Sequence, residues 1–253
     1  LENQIPKDPN EGEVQIAVSF TGINFAEIIM RQGLYQDAPA KPFIPGYEFS
    51  GVVSNVGPGV TRFKKGDLVF GGSFFNAHQK ILTVPEWMVM PAFEGYSLEQ
   101  LAALPVAFLT AYGALVDMAR VREGDQILID CASGGLGTLC VKMCLSYGAE
   151  VTGLTSSDHK KEFIQSLGAQ ALTHDEWKGG SELYDIILNS QGGRSIKDHY
   201  GRLKQTGRVV CLGISSGIRP GARNLAAILK TVWEMPSFKI VKMFEKNRGI
   251  FAL

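Results

Sequence analysis

The chain has 253 residues, 45% of them hydrophobic, so it can bury a sizeable core in one large domain or two modest ones. Lys plus Arg and Asp plus Glu both number 25, which gives no electrostatic reason to expect nucleic acid as a partner. The four cysteines form no CxxC pair, as is typical of free thiols in a reducing compartment. No apolar run approaches the roughly 20 residues that cross a bilayer. The composition predicts a cytoplasmic protein without an integral membrane segment, with peripheral membrane association as the alternative.

The N-terminal third of the chain has the pattern of β structure. Residues 14–18 alternate apolar and polar side chains, as a half-buried strand does, and residues 48–56 continue the pattern. A Gly-Pro-Gly turn cluster follows at 57–59, and one short helix is expected near 26–32. These features predict an antiparallel, barrel-like domain over residues 1–97.

Beyond Asp125 the pattern changes to strands that alternate with helices. The expected strands are 126–130, 150–154, 184–188 and 208–212, and the expected helices between them include 135–147 and 158–167. This order predicts an α/β domain over residues 98–235, with a doubly wound parallel sheet covered by helices on both faces. The chain then becomes helical again, and residues 236–253 are assigned to a separate C-terminal segment.

A glycine-rich loop follows the first of these strands and opens a helix. It contains Ser133, Gly134, Gly135, Leu136 and Gly137. A tight turn at the end of a strand lets backbone N–H groups and the helix N-terminus face a pyrophosphate. The loop therefore predicts a dinucleotide site, with a turn that binds no ligand as the alternative.

The second strand indicates which dinucleotide is bound. An NAD site usually has Asp or Glu about 20 residues after the glycines, where it holds a ribose hydroxyl. This chain has no carboxylate there until Asp158, which is assigned to the start of a helix. Ser156 instead provides a hydroxyl, and Lys160 and Lys161 provide positive charge, which suit a 2′-phosphate, with a solvated lysine pair as the alternative. The sequence therefore predicts NADPH in preference to NADH.

Several motifs resemble those of one family over essentially the whole chain: the zinc-free medium-chain dehydrogenase/reductases. This group includes quinone oxidoreductases, vesicle amine transport protein homologues and the enoyl reductase domains of fatty-acid and polyketide synthases. The matching segments are Gly22–Glu27, Arg31–Tyr35, Pro45–Glu48, Lys65–Asp67, Leu109–Tyr112, the glycine loop and Gly207–Gly213. The resemblance implies a GroES-like, mainly β catalytic domain joined to a Rossmann domain. It also implies that both ends are truncated and that residues 236–253 begin a return to the first domain.

The resemblance extends to the cofactor site. Thr110 matches a threonine that reaches the nicotinamide end in this family. His174 stands where related reductases often carry Tyr beside the 2′-phosphate, and a partly protonated imidazole would also favour phosphate. Asn189 and Ser190 come at the end of the strand expected at 184–188 and Gly213 follows the next strand, so the switch-point rule for parallel sheets predicts that they border the nicotinamide.

The residue types at the zinc-ligand positions predict no metal site. Zinc-dependent relatives carry Cys where this chain has Asn24 and His where it has Tyr47, and catalytic zinc needs about three protein ligands. The resemblance then assigns catalysis to polar groups. Asn24 is expected to orient the acceptor oxygen or the nicotinamide ribose. Tyr35 or Tyr47 is expected to donate a proton, with a bound water as the alternative.

Three functions remain open from the sequence. The first is an NADPH-dependent reductase of a quinone or an α,β-unsaturated carbonyl compound. The second is an enoyl-thioester reductase of a fatty-acid or polyketide pathway. The third is a non-catalytic NADPH-binding protein of the vesicle amine transport type. By resemblance we also expect a homodimer that pairs through a sheet edge formed by residues 208–214.

Overall fold

The computed structural model describes residues 7–218 and 224–253. The chain divides into two compact units between Val106 and Ala107. The sequence placed a boundary at 97/98, but the helix that follows it packs in the first unit. Leu101 of that helix is fully buried, and the carbonyl of Leu98 accepts a hydrogen bond from the Ser50 hydroxyl.

The first unit is built on an antiparallel sheet of five strands in the order β4-β1-β2-β3-β5. Its elements are β1 (Glu13–Thr21), α1 (Phe25–Arg31), β2 (Glu48–Val56), β3 (Leu68–Gly72), β4 (Ile81–Pro85), β5 (Val89–Pro91) and α2 (Leu98–Ala102). The alternation noted at 14–18 is the reason β1 forms, since Val14 and Ile16 point into the core with Phe49 of β2 and Val69 of β3. The expected β domain is confirmed.

The second unit is built on a parallel sheet of six strands in the order β11-β10-β9-β6-β7-β8. Its strands are β6 (Gln126–Ile129), β7 (Glu150–Thr155), β8 (Gln170–Thr173), β9 (Tyr184–Asn189), β10 (Leu203–Cys211) and β11 (Gly249–Ala252). The helices are α3 (Pro105–Tyr112, which begins in the first unit), α4 (Gly135–Ser146), α5 (Lys161–Ser166), α6 (His174–Gly179), α7 (Ser195–Gly201), α8 (Leu225–Trp233) and α9 (Ile240–Lys246).

Both faces of this sheet are covered, which confirms the α/β class predicted from the sequence. One face packs Ile127 and Ile129 against Cys140 and Val141 of α4, and the other packs Leu128 with residues that include Trp177 of α6. Because both faces are buried, the central strands are almost continuously apolar. Among the described residues, no helix is long and apolar enough to cross a membrane.

Two strands of the second unit were not anticipated from the sequence, and β4 and β5 of the first unit were expected only as part of a β-rich region. β8 has four residues, and only Ala171 and Leu172 in it are apolar, so its pattern is too short to distinguish from a loop. β11 lies in the segment that was expected to begin a return to the first domain. Its residues pair in parallel with Arg208 to Cys211 of β10. This pairing corrects the expectation that residues 208–214 form an open sheet edge, because β11 occupies that edge.

Candidate functional site

Most of the residues predicted to bind a dinucleotide lie at one edge of the second unit's sheet. The glycine loop follows β6, Ser156 follows β7, His174 follows β8, Asn189 ends β9, and Gly213 follows β10. Because all these strands are parallel, their carboxyl ends lie at the same edge. The order reverses between β9 and β6, and such a switch point is where parallel α/β sheets bind ligands.

The glycine loop leaves the start of α4 available to an anion. Gly134 is the N-cap residue and has no side chain, so the first N–H groups of this 12-residue helix receive no side-chain cap. A Cβ atom built on Gly135 would meet no atom within 4 Å, so the backbone there borders open space. Ser133 and Leu136 flank the loop and are half-buried. Uncapped N–H groups beside open space fit a dinucleotide pyrophosphate.

Gly137 has a different, structural role in the same loop. A Cβ at this position would overlap the carbonyl oxygen of Cys131, so glycine lets α4 pack closely against the end of β6. Cys131 itself has a positive φ of 56°, an uncommon conformation for a residue with a side chain. Burial and the neighbouring Asp130 raise the pKa of the Cys131 thiol to about 12, so it is a neutral group at the loop rather than a nucleophile.

The two residues predicted to bind a 2′-phosphate are exposed beyond β7. Ser156 and Lys160 both lie at the surface, and Lys160 makes no ion pair within residues 7–218 and 224–253. The neighbouring Lys161 is instead paired with Glu176 at 2.7 Å. This pairing, with hydrogen bonds from Thr173, lowers the pKa of Glu176 to about 2. Of the two adjacent lysines, Lys160 is therefore the one whose charge remains available to an anion.

Asn189, predicted to border the nicotinamide, makes its hydrogen bonds inside the protein. It is fully buried, and its amide nitrogen donates to the hydroxyl of Ser195 and to Nδ1 of His199. Its Oδ1 accepts the N–H of Gly192. The amide is therefore engaged internally and shapes the loop after β9. In that loop the carbonyl of Ser190 accepts the N–H of Ser215, which joins it to the turn that follows β10.

A polar cluster that the sequence did not single out spans the same edge. Asp130 follows β6, and its Oδ1 accepts a hydrogen bond from Nε2 of Gln191 at 2.8 Å. The Nε2 atom of the predicted phosphate ligand His174 lies 3.2 Å from that Gln191 nitrogen and 3.8 Å from Asp130 Oδ1. The one sequence signal was an acidic residue at the end of an otherwise apolar strand, directly before the glycine loop.

Thr110, predicted to reach the nicotinamide, lies in α3 and is half-buried. Its neighbour Leu109 is mostly exposed. In this helix Thr110 is thus on a partly accessible face.

In the first unit, Asn24 is fastened to a buried carboxylate. Its Nδ2 donates to Oε1 of Glu48 at 2.7 Å, and the second oxygen of Glu48 accepts the N–H of Val106 at 2.9 Å. Glu48 is only 2% exposed, and burial raises its pKa although both hydrogen bonds oppose the shift. The backbone N–H of Asn24 donates to Glu27 at 2.7 Å, at the start of α1. Gly22 is needed here because a Cβ would overlap the Glu48 carboxylate.

The two predicted proton donors lie next to each other. The ring centroids of Tyr35 and Tyr47 are 6.5 Å apart, and Tyr47 also packs against Phe75 at 5.2 Å. Burial raises the pKa of Tyr47 above its ordinary value, and a hydrogen bond with Tyr35 and the charges of Glu27 and Asp37 raise it further. Tyr47 therefore keeps its proton and acts as a hydrogen-bond donor rather than as a phenolate.

The sequence predicts no zinc site because Asn24 and Tyr47 stand where zinc-dependent relatives carry Cys and His. In the described part of the chain, no group of three or more His, Cys, Asp and Glu side chains is arranged to hold a metal ion.

Family models match both units. Residues 10–94 match the alcohol dehydrogenase GroES-like domain, and residues 135–235 match the model described as zinc-binding dehydrogenase. The chain is also 31% identical to quinone oxidoreductase-like protein 2 of Mus musculus, over 93% of this chain and 70% of that protein. The chain therefore belongs to the medium-chain dehydrogenase/reductase family, an oxidoreductase family, and to its zinc-free group.

The chain is also similar to a vesicle membrane protein and to a quinone oxidoreductase of known structure. The chain is 33% identical to the synaptic vesicle membrane protein VAT-1 homolog of Rattus norvegicus, over 97% of this chain. It spans only 63% of that relative's length. The fold resembles the quinone oxidoreductase of Escherichia coli solved in complex with NADPH, with a TM-score of 0.81 and 25% identity, covering 100% of this chain and 75% of that one.

Proposed function

We propose that the protein is an NADPH-dependent reductase that transfers hydride to a quinone or an α,β-unsaturated carbonyl compound. The observation that carries this proposal is the uncapped N-terminus of α4 behind Gly134 and Gly135, at the switch point of the parallel sheet. Lys160 makes no ion pair with the described residues, so its positive charge can bind a phosphate, and Ser156 is near it in the chain. These two residues support the choice of NADPH over NADH. The E. coli relative, solved with NADPH, supports the same choice.

Bound NADPH would supply a hydride to an electrophilic carbon of the acceptor. The protein then has to stabilise the negative charge that develops on the acceptor oxygen. In our proposal Tyr47 donates a hydrogen bond to that oxygen, since its raised pKa makes it a poor proton source but a persistent donor. Asn24 contributes the N–H of its amide that is not directed at Glu48. Tyr35 or water supplies the proton that completes the reduction.

The second candidate is a non-catalytic NADPH-binding protein, which the similarity to the VAT-1 homolog favours. Both candidates bind NADPH at the same site, but only the reductase reduces an acceptor. We further propose a cytoplasmic homodimer, with peripheral membrane association as an alternative location. Light scattering of the purified full-length protein measures its oligomeric state, and flotation with liposomes measures membrane association.

One assay tests the function. Full-length protein is mixed with NADPH, and loss of absorbance at the nicotinamide band is followed with 9,10-phenanthrenequinone, an enone or crotonyl thioester in parallel. Turnover of the quinone or the enone supports the proposal, and turnover of the thioester alone identifies an enoyl-thioester reductase. Tight NADPH binding without turnover of any acceptor identifies the non-catalytic protein. Absence of NADPH binding in a direct titration contradicts all three.

A further inference from the structure

Three side chains from three strand ends meet at the carboxyl edge of the second unit's sheet. Asp130 follows β6, Gln191 follows β9 and His174 follows β8, so they converge from both sides of the switch point. The side chain of Asp130 is fully buried. Its Oδ1 accepts from Gln191, and its Oδ2 has no hydrogen-bond partner among the described residues. A buried carboxylate that is only half satisfied has a strong electrostatic demand for a nearby positive charge.

The donors and acceptors fix the orientation of this cluster. If the Gln191 amide were reversed, its oxygen would face Asp130 Oδ1 at 2.8 Å, and two acceptors would repel each other. The Gln191 nitrogen therefore faces both neighbours. An amide nitrogen only donates, so the Nε2 atom of His174, 3.2 Å away, has to accept. In this arrangement His174 is neutral and carries its proton on Nδ1.

Protonation of His174 would require a second arrangement. A proton on Nε2 would face the N–H group of Gln191, which is repulsive, whereas Asp130 Oδ1, 3.8 Å away and within ion-pair distance, would attract it. Gln191 would then swing aside while its backbone stays in place, because its carbonyl accepts from the hydroxyl and the N–H of Ser216. Nδ1 keeps its proton in both arrangements. The exchange of partners therefore makes the His174 ring positively charged, while its Nδ1 atom remains a hydrogen-bond donor.

We propose that Asp130 is a positioning residue that stabilises the protonated form of His174, so that the protein's preference for NADPH over NADH increases as the pH falls. This inference rests on the proposed use of NADPH and on the expectation, implied by the family resemblance, that His174 lies beside the 2′-phosphate. Gln191 is the competing partner that stabilises the neutral ring. A charged ring strengthens its hydrogen bond to a phosphate, whereas NADH has no phosphate at that position.

The other charged and titratable groups around His174 do not replace Asp130. His199 of α7 is buried, and burial lowers its pKa, so it stays neutral at neutral pH. On α6 itself, Asp175 is exposed and lies 4.0 Å from Lys178, while Glu176 is held by Lys161.

Two more groups belong to the same environment. The thiol of Cys131 is neutral at physiological pH, and its pKa is influenced by the positive charge of Lys160. Lys160 is exposed and makes no ion pair with the described residues. Asp130 is thus the buried negative group that faces the imidazole.

The test measures dissociation constants of NADPH and NADH by calorimetry between pH 6.5 and 8.5. Over this range we expect the NADPH preference of the wild-type protein to rise by about tenfold as the pH is lowered. His174→Gln should remove most of this dependence, and what remains reports titration of the 2′-phosphate itself. Asp130→Asn should move the rise to lower pH. Asp175→Asn, which removes a carboxylate next to His174 in sequence but exposed to solvent, is the matched control and should leave it nearly unchanged.

In Gln191→Ala the rise in NADPH preference should shift in the direction opposite to that expected for Asp130→Asn. Without the competing donor, the ring should accept its proton at higher pH, so the rise in NADPH preference should begin at higher pH than in the wild type. NMR titration of the His174 imidazole, assigned by comparison with His174→Gln, measures the same shifts without dinucleotide and without turnover. The NMR titrations of the wild type and of Gln191→Ala still test the exchange of partners if Asp130→Asn fails to fold.

Three outcomes would overturn the inference in distinguishable ways. Equal pH profiles for wild type and Asp130→Asn would remove Asp130 from the site, even though NADPH still bound. A Gln191→Ala shift toward lower pH would contradict the exchange of partners. Absence of NADPH binding at every pH would overturn the proposed function together with this inference.

Discussion

The amide nitrogen of Asn24 lies 2.7 Å from Oε1 of Glu48, and it is one of two donors that satisfy this buried carboxylate. The other donor is the backbone N–H of Val106, at the first turn of α3. Asn24 thus has a structural task in addition to any contact with an acceptor. The pair connects the start of α1 to β2 and to the helix that follows α2.

Asn24→Ala is expected to lower the free energy of unfolding by about 2 kcal/mol, because a buried carboxylate loses a charge-assisted hydrogen bond. Loss of this donor should also raise the pKa of Glu48 further, since the hydrogen bond from Asn24 opposes the effect of burial. Urea unfolding measures the first effect. Asn55→Ala, at an exposed position of β2, is the control and should change stability by less than about 0.5 kcal/mol. Equal losses for the two variants would mean that the Asn24–Glu48 bond contributes nothing special.

Tyr47→Phe is expected to reduce turnover of a quinone by about 100-fold, because one donor to the developing oxyanion is lost. The affinity for NADPH should stay the same, since the dinucleotide contacts proposed above lie in the second unit. In the wild type the raised pKa of Tyr47 implies that its ionisation does not reduce the rate as the pH rises to 10. Steady-state kinetics with Tyr147→Phe, an exposed tyrosine, provides the comparison. A wild-type rate for Tyr47→Phe would remove its hydroxyl from the mechanism.

Two glycines of one loop should respond differently to alanine. Gly137→Ala introduces a methyl group against the carbonyl of Cys131, so the protein should be destabilised and α4 displaced. Gly135→Ala introduces a methyl group into open space, so stability should be kept or slightly increased, as expected for alanine in a helix. NADPH affinity should nevertheless fall in Gly135→Ala, because the methyl group occupies the approach to the helix N-terminus. Thermal unfolding and dinucleotide titration separate the two effects. Unchanged affinity in Gly135→Ala would argue against this loop as the pyrophosphate site.

Lys160→Ala is expected to weaken NADPH binding by about tenfold and to leave NADH binding nearly unchanged, since only NADPH has a 2′-phosphate to lose its charge partner. Lys161→Ala is the matched control, because Lys161 is engaged by Glu176. Calorimetric titration of both dinucleotides measures the difference. An equal loss for NADPH and NADH in Lys160→Ala would exclude Lys160 from the phosphate site.

The buried His199 predicts how stability depends on pH. Burial lowers its pKa in the folded protein below the ordinary value of about 6.5. The unfolded chain therefore binds a proton near pH 6.5 that the folded protein does not bind until a lower pH. The free energy of unfolding should decrease as the pH falls below 6.5, until the folded pKa is reached. Urea unfolding of His199→Gln between pH 7.5 and 5.5 should show a smaller decrease than the exposed-site control His159→Gln. Identical slopes would mean that His199 does not contribute.

Much of the fold followed from local patterns. The alternation around Val14 and Ile16 and the apolar runs of β6 and β9 indicated an antiparallel domain followed by a parallel one, and both were confirmed. β8 and β11 were missed, because each has only four residues and little periodicity. Their place in the sheet depends on pairing with β7 and β10, from which helices separate them in the chain.

The sequence by itself determined the order of the two units and the glycine loop that opens α4, because turn chemistry and periodicity are local. It also determined which residue types stand at the zinc-ligand positions. Only the tertiary structure decided how those residues are used. It engaged Asn24 with Glu48 and Asn189 with His199, left Lys160 without an ion pair while Lys161 found Glu176, and brought Asp130, Gln191 and His174 together. These contacts join side chains from different helices, strands and loops, so they depend on how those elements pack together rather than on the pattern of any single segment.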